Sequence, residues 1–205
     1  MTSTTIITAL FVLTYQIFTI WHCRTIKLKA RDLAIGGMIA ALTIVFSFAV
    51  RVPLPTGSAV TPLAAVPIML LAVVYDEKLA MLCGWLTGIL VIFLLPSWQP
   101  VHWAQIPVEH LICLSCLGYA GIFHTVNKLK LLGAMVIALS IQVIGHILSG
   151  VLFFSVYAPE GMSPWVYSLT YNLSANIPEA GIAIAIMLLI PLKSIKKSLQ
   201  GIADR

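Results

Sequence analysis

The sequence is poor in charged side chains, which make up only 9% of its 205 residues. A water-soluble domain carries about 25% charged residues, which keep its surface hydrated. Here 60% of the residues are hydrophobic and the mean hydropathy is +1.02. Because charges are so few, most of the protein surface cannot be well hydrated. The surrounding solvent must therefore be lipid. The composition therefore excludes a soluble globular protein and predicts an integral membrane protein.

Several sequence motifs of enzymes are also missing. The chain has no GxxxxGK[ST] phosphate loop, no HExxH zinc motif and no GxSxG nucleophile motif. Its single CxxC pair, Cys113 and Cys116, lies in the apolar run CLSCLGYAGIF, which favours small buried residues in a helix over a redox or metal site. The sequence therefore predicts that this chain is not an enzyme, does not hydrolyse ATP and holds no metal or cofactor.

Apolar residues form continuous runs rather than alternating with polar ones. This pattern predicts membrane-spanning helices and excludes a β-barrel. A run of about 20 residues is needed to cross the hydrocarbon core of a bilayer. The predicted fold is all-α, a polytopic transmembrane helix bundle with seven apolar segments, at approximately 5–22, 33–51, 60–75, 79–96, 105–123, 131–156 and 165–192.

Basic residues lie in short clusters between these segments, chiefly at 24–31, 128–130 and 193–197. Cytoplasmic loops of membrane proteins carry an excess of Lys and Arg. One alternation of the seven segments places every Lys and Arg except Arg51 in the cytoplasm. It predicts an outer N-terminus, a cytoplasmic C-terminus and location in the cell membrane. The clusters form no basic stripe interleaved with aromatic residues, so nucleic acid binding is not expected.

The first apolar segment lacks the charged start and the cleavage site of a signal peptide. We therefore interpret it as a retained helix. The predicted organisation is an accessory N-terminal helix with a basic cytoplasmic loop at 1–30, followed by a six-helix membrane domain at 31–205.

Small residues recur four positions apart in two segments, which lets helices approach closely in lipid. They serve either packing within the bundle or docking of a partner. We favour packing for Gly84 and Gly88 and a partner face for the second segment. The candidate docking residues are Gly36, Gly37, Ala40 and Ala41.

Three polar residues from separate segments are predicted to lie at similar depth in the outer half of the membrane: Glu109, His146 and Asn172. Ionisable residues inside membrane segments are costly and face the protein interior, where they mark functional sites. The alternatives are an interhelical hydrogen bond for Glu109 and a satisfied core histidine for His146. Glu179 is a second intramembrane acid, for which a role in the bundle is the alternative, and we do not count it among the site candidates.

Aromatic residues accompany this set, and an interfacial aromatic belt is the alternative interpretation for each of them. A dehydrated carboxylate is costly unless it is paired with a positive charge. Aromatic faces attract cations, and an amide supplies directional hydrogen bonds. The set therefore predicts a site for a flat organic cation. The accompanying aromatic residues are Trp98, Trp103, Tyr157, Trp165, Tyr167 and Tyr171, and the site candidates among them are Trp98, Trp103, Tyr157 and Tyr167.

Two stretches carry a specific resemblance: HILSGVLFFSVYAPEGMSPWVYSLTYN at 146–172 and QIPVEHLICLSCLGYAGIF at 105–123. Both closely resemble the thiamine-specific S components of energy-coupling factor (ECF) transporters, and the resemblance extends over about 31–192. It implies a six-helix bundle that binds the vitamin near the extracellular surface. It also implies that Glu109, His146, Tyr167 and Asn172 contact the ligand.

The sequence departs from that family at several aromatic positions. Phe154 stands where a Trp is usual, His110 where a Tyr is usual, and a Trp of the first outer loop is replaced near Ser58. Stacking contacts to the ligand are then weaker or are rebuilt by Trp98 or Trp103. These departures keep another vitamin or a thiamine precursor open as the substrate.

The resemblance also implies the partners. S components associate with a membrane T component that carries two ATPases. A small-residue surface on the first helix of the S component faces the T component. The S component then topples in the membrane and so delivers the vitamin.

Two other functional classes are compatible with these residues: a proton-coupled carrier acting alone through Glu109, and an intramembrane enzyme using Glu109 and His146. No nucleophile or metal motif supports the enzyme.

Overall fold

The computed structural model describes residues 3–95 and 99–203. Helices occupy all seven predicted segments, and an additional short helix follows them, which confirms an all-α membrane bundle. The helices are α1 (Ser3–Cys23), α2 (Ala30–Ala49), α3 (Val66–Val74), α4 (Glu77–Leu94), α5 (Ile106–Gly121), α6 (Lys128–Phe153), α7 (Pro164–Leu189) and α8 (Leu192–Ala203).

Five of the described helices are long and apolar enough to cross a membrane: α1, α2, α4, α6 and α7. The apolar segment predicted at 60–75 forms a helix only over its second half. A two-residue strand, β2 (Ala59–Val60), pairs with β1 (Val52–Pro53) in an antiparallel hairpin, so α3 begins only at Val66. With 9 residues, α3 is about 14 Å long. All its residues except Leu70 are buried, so α3 is a core helix.

Helix α5 is irregular along its length. A π-helical stretch, Ile106–Ile112, leads into one α-helical turn at Cys113–Ser115 and a 3-10 stretch at Cys116–Gly121. Long π-helical and 3-10 stretches are uncommon because their hydrogen-bond geometry is poorer than that of an α-helix. Packing against neighbouring helices must therefore hold α5 in this shape.

Two glycines of α4 allow its backbone to touch the backbone of α5. A Cβ on Gly88 would lie 2.1 Å from the carbonyl oxygen of His110, and a Cβ on Gly84 would lie 2.4 Å from that of Leu114. No side chain fits at such a distance. Packing within the bundle, as the sequence indicated, is therefore the role of Gly84 and Gly88.

The four small residues of α2 point in two directions. Gly36 and Ala40 are buried against α4, where the Cys83 thiol donates to the Gly36 carbonyl at 3.3 Å. Gly37 and Ala41 are exposed, and a Cβ on Gly37 would meet no heavy atom within 4 Å. Of these four small residues, only Gly37 and Ala41 are therefore accessible on the outer surface of α2.

The two terminal helices pack against the bundle in different ways. Helix α1 buries one side, formed by Thr8, Tyr15, Thr19 and Cys23, against α4, α5 and α6. Helix α8 buries Leu192 next to α3 and exposes Lys193 and Lys197.

The ends of several helices meet at a polar cluster on one end of the bundle. The Asp76 side chain caps α4 by accepting a hydrogen bond from the Leu79 amide at 2.7 Å. The buried Glu77 carboxylate lies 3.4 Å from a ring nitrogen of His22 and 3.4 Å from one of His124. These contacts tie α1, α4 and the α5–α6 loop together at the end opposite the β-hairpin.

Candidate functional site

A cavity of about 240 Å³ lies between α5, α6, α7 and the β-hairpin. Its walls are rich in carboxylate, amide, imidazole and hydroxyl groups. The polar residues lining it are Arg51, Ser58, Thr61, Gln99, Gln105, Glu109, His110, Gln142, His146, Tyr171, Asn172, Asn176 and Glu179. A cavity with so many hydrogen-bonding groups inside an apolar bundle has the character of a ligand site.

Glu109, on the π-helical stretch of α5, is held by three neighbours. Its Oε2 accepts hydrogen bonds from Gln105 Nε2 at 2.5 Å and Ser149 Oγ at 2.6 Å. Its Oε1 lies 3.6 Å from His146 Nδ1, and the Glu109 side chain keeps about 24% exposure. The carboxylate is therefore fixed in direction while one side remains open to the cavity.

Gln105 extends this network toward the loop before α5. The side chain is buried, and its Oε1 accepts a hydrogen bond from the Val101 amide at 2.9 Å. Gln105 and Glu109 stand four residues apart, and their side chains meet on one side of the helix. The loop and the carboxylate are thus ordered together.

Asn172, on α7, is anchored to α6 and to its own helix. Its Nδ2 donates to the Ser168 carbonyl at 2.9 Å, to Ser168 Oγ at 3.1 Å and to the His146 carbonyl at 3.2 Å. Ser168 Oγ in turn donates to the Ile147 carbonyl at 2.7 Å. Gly150 makes this approach possible, because its Cβ would lie 2.2 Å from Ser168 Oγ.

A second acid, Glu179, also lines the cavity. It accepts hydrogen bonds from the backbone amide and the hydroxyl of Thr61, each at 3.1 Å. The structure therefore gives Glu179 two roles at once, since it ties the segment after the β-hairpin to α7 and adds a second carboxylate to the cavity wall.

The predicted aromatic residues do not gather in one place. Phe154 lines the cavity, and its ring lies 6.1 Å from that of Tyr157, which is 61% exposed. Trp103 is 76% exposed. Tyr167 does not line the cavity but lies 5.9 Å, ring to ring, from Tyr171, which does. Trp98 falls outside the described residues.

His110 and Ser58, two positions where the family usually has a large aromatic residue, both border the cavity. His110 is 2% exposed and Ser58 3% exposed, and each contributes to the wall. Ser58 lies within hydrogen-bonding distance of Thr56, at 2.7 Å, and of Ser174, at 3.2 Å. A hydroxyl cluster therefore stands where a large ring was expected.

Tyr171, one of the predicted aromatic residues, lines the cavity, whereas Gln142 and Asn176 were missed by the sequence analysis. Gln142 precedes His146 by four residues, and Asn176 follows Asn172 by four. Residues four apart share one side of a helix, so this spacing was an available signal. Asn176 Nδ2 donates to the Asn172 carbonyl at 2.8 Å, which orders the two amides together.

The charges and polar groups of the cavity suit a flat, positively charged ligand. Two carboxylates face it, and the amides and hydroxyls offer both donors and acceptors. The rings of Phe154 and Tyr171 supply flat faces that attract cations when water is excluded. Among the described residues, no group of three or more His, Cys, Asp or Glu side chains is placed to hold a metal ion.

Three comparisons relate the chain to known proteins. A family model described as thiamine transporter protein (Thia_YuaJ) matches residues 33–199. The thiamine transporter ThiT of Bacillus subtilis (strain 168) is 28% identical over 149 residues, which cover 67% of this chain and 77% of that protein. A solved structure of ThiT from Listeria monocytogenes superposes with a TM-score of 0.68 at 23% identity, covering 80% of this chain and 93% of the other. The superposition shows that the two share a fold.

Proposed function

This chain belongs to the thiamine transporter protein family, and from that premise we propose that it is the thiamine-capturing S component of an ECF-type importer. In this role it binds the vitamin at the extracytoplasmic face and delivers it with an ATP-driven partner module. The observation that carries the proposal is the open side of the Glu109 carboxylate in a polar cavity between three helices.

Thiamine suits the charge and the hydrogen-bonding groups of the cavity. It is a cation with two flat rings, a thiazolium and an aminopyrimidine, joined by a methylene group. Glu109 is the natural partner for the positive charge, because a carboxylate and a cation that lose water together compensate each other. Asn172 and His146 offer directional hydrogen bonds to ring nitrogens and the amino group. Phe154 and Tyr171 offer faces for stacking.

Capture from outside is supported by the distribution of charge. The β-hairpin and the loop before α5 border the cavity. If successive helices alternate in direction, Arg51 is the single Lys or Arg residue of the sequence that falls on the same side of the membrane as these two segments. Cytoplasmic loops are the ones enriched in Lys and Arg. We therefore place the cavity near the outer surface, the N-terminus outside and the C-terminus in the cytoplasm.

Two features support an ATP-driven partner: the missing phosphate loop and the exposed small residues of α2. The sequence has no phosphate loop, so an importer driven by ATP would need its ATPases in other subunits. Gly37 and Ala41 leave a smooth, exposed strip on α2 that another membrane helix can approach closely. We assign this strip to the T component, which carries two ATPases; the S component itself needs no cofactor.

A second candidate is a thiamine carrier that works alone and is coupled to protons. The observation that favours it is the Glu109–His146 pair, whose Oε1 and Nδ1 atoms lie 3.6 Å apart. Such a pair can pass a proton when a cationic ligand enters or leaves. The Ser58 and His110 substitutions also keep a different vitamin or a thiamine precursor open as the ligand.

Uptake of labelled thiamine into proteoliposomes separates these candidates. If the chain is an S component, uptake requires a T component, both ATPases, and ATP on the side of the liposome membrane where the ATPases lie. An ATPase-inactive module is the matched control and should abolish uptake without affecting binding. Uptake by the chain alone that follows an imposed proton gradient would contradict the S-component role and support the carrier.

A further inference from the structure

Helix α1 lies outside the part of the chain that matches the thiamine transporter family, which begins at residue 33. This helix turns hydroxyl groups toward α5, the helix that carries Glu109.

Two buried hydroxyl pairs join the helices. Tyr15 Oη lies 2.7 Å from Ser115 Oγ, and Thr19 Oγ1 lies 3.2 Å from Tyr119 Oη. All four residues are at most 7% exposed. The rings of Tyr15 and Tyr119 also meet edge to face, with centroids 6.0 Å apart. In lipid, interhelical hydrogen bonds of this kind fix the register of one helix against another.

Helix α5 depends on such contacts because it is irregular. Gly84 and Gly88 of α4 fix its backbone on one side, and the Cys113 thiol donates to the Gln142 carbonyl of α6 at 3.4 Å on another. Helix α1 covers a further side and also contacts the π-helical stretch itself. The hydroxyl pairs lie just past the point where that stretch ends, at Ile112.

We propose that α1 is a positioning element of the binding site, whose Tyr15 and Thr19 hydroxyls hold α5 in the register that directs Glu109 into the cavity. The proposal rests on the proposed function, since its first test uses thiamine as the ligand. Tyr15 and Thr19 are positioning residues that act through Ser115 and Tyr119 and do not touch the ligand.

The test removes the hydroxyls and keeps the shapes. In the full-length protein, Tyr15→Phe and Thr19→Val, alone and together, should weaken thiamine binding measured by calorimetry. We expect the pair to weaken it by about tenfold, because α5 is then no longer held in the register that directs Glu109 into the cavity. Thr8→Val is the matched control: Thr8 is equally buried on α1, but its hydroxyl donates only to the Thr4 carbonyl of the same helix, at 2.9 Å. It should bind thiamine as the wild type does.

A double-mutant cycle with Glu109→Gln separates positioning from general destabilisation. If α1 acts through Glu109, the penalty of Tyr15→Phe disappears in the Glu109→Gln background, because the group being positioned is already lost. The same penalty in both backgrounds would show a merely structural role and overturn the proposal. Wild-type affinity in the double Tyr15→Phe, Thr19→Val variant would overturn it as well.

Hydrogen exchange of the ligand-free protein keeps the proposal testable if thiamine is not the ligand. Tyr15→Phe should speed amide exchange in Ile106–Gly121, and Thr8→Val should not. Unchanged exchange in that segment would contradict the positioning role of α1. Failure of the wild type to bind thiamine would contradict the proposed function and leave the exchange result to decide the role of α1.

Discussion

Replacing Gly150 by alanine tests how Asn172 is held in the site. The added Cβ would lie 2.2 Å from Ser168 Oγ and 3.0 Å from Asn172 Nδ2. The Ser168 hydroxyl must then rotate away, which breaks its 2.7 Å bond to the Ile147 carbonyl and its 3.1 Å bond from Asn172. Asn172 then loses its contact with the Ser168 hydroxyl, the group that ties this part of α7 to α6.

The size of the effect follows from these contacts. Each lost buried hydrogen bond costs about 1 kcal/mol, with more where a group is left unpaired. Alanine recovers part of the folding stability, since glycine inside a helix costs about 1 kcal/mol relative to alanine. We therefore expect little change in the unfolding temperature but about tenfold weaker thiamine binding, equivalent to about 1.4 kcal/mol.

Calorimetric titration with thiamine and a thermal unfolding curve measure the two quantities separately. Gly133→Ala is the matched control on the same helix, because a Cβ there meets no heavy atom within 4 Å. It should raise stability slightly and leave binding unchanged. Wild-type affinity in Gly150→Ala would refute the reasoning, since the Ser168–Asn172 contact would then have no part in binding.

Three further changes test other parts of the structure. Gly88→Ala should lower the unfolding temperature strongly, because its Cβ would lie 2.1 Å from a backbone oxygen of α5 that cannot rotate away; a normal melting curve would contradict the close packing. Glu179→Gln should weaken thiamine binding about tenfold by calorimetry, since it removes one of two cavity carboxylates; unchanged affinity would restrict Glu179 to tying Thr61 to α7. Ala41→Leu should leave thiamine affinity unchanged but abolish ATP-driven uptake in proteoliposomes; loss of binding instead would show that the exposed side of α2 supports the fold.

The polar centre of the site was predictable from sequence because polar groups are rare within apolar segments. Glu109, His146 and Asn172 stand out against their surroundings, and the alternation of helices gives them a common depth. The structure places all three at one cavity. Gln142 and Asn176 escaped notice, although each lies one turn from a predicted residue.

The aromatic residues were harder to place. Tryptophan and tyrosine occur at membrane interfaces whether or not they bind a ligand. Their distance along the chain does not reveal whether a side chain turns inward. Trp103 and Tyr157 prove largely exposed, whereas Tyr171 lines the cavity.

Sequence pattern alone also did not give the length of α3 or show which small residues of α2 are accessible. A short apolar run has the same hydropathy whether it crosses a bilayer or fills a protein core. The β-hairpin that shortens α3 depends on pairing between Val52 and Val60, which lie eight residues apart. Gly36 and Gly37 are adjacent in sequence, yet one is buried and the other exposed. Which of them faces inward depends on where α4 packs, and that is a property of the whole bundle.

The central claim is that thiamine binds beside the Glu109 carboxylate. The most direct test is a calorimetric titration of the detergent-purified protein with thiamine, repeated with Glu109→Gln and with Glu160→Gln. Glu160 is an exposed glutamate of the loop between α6 and α7, so its variant loses the same charge without touching the cavity. We predict micromolar or tighter binding by the wild type.

We expect Glu160→Gln to match the wild type. Glu109→Gln should bind at least about 30-fold more weakly, because losing one partner of a desolvated charge pair costs about 2–5 kcal/mol. Equal affinity in Glu109→Gln and the wild type would contradict the account, since the positive charge of the ligand would then be balanced elsewhere.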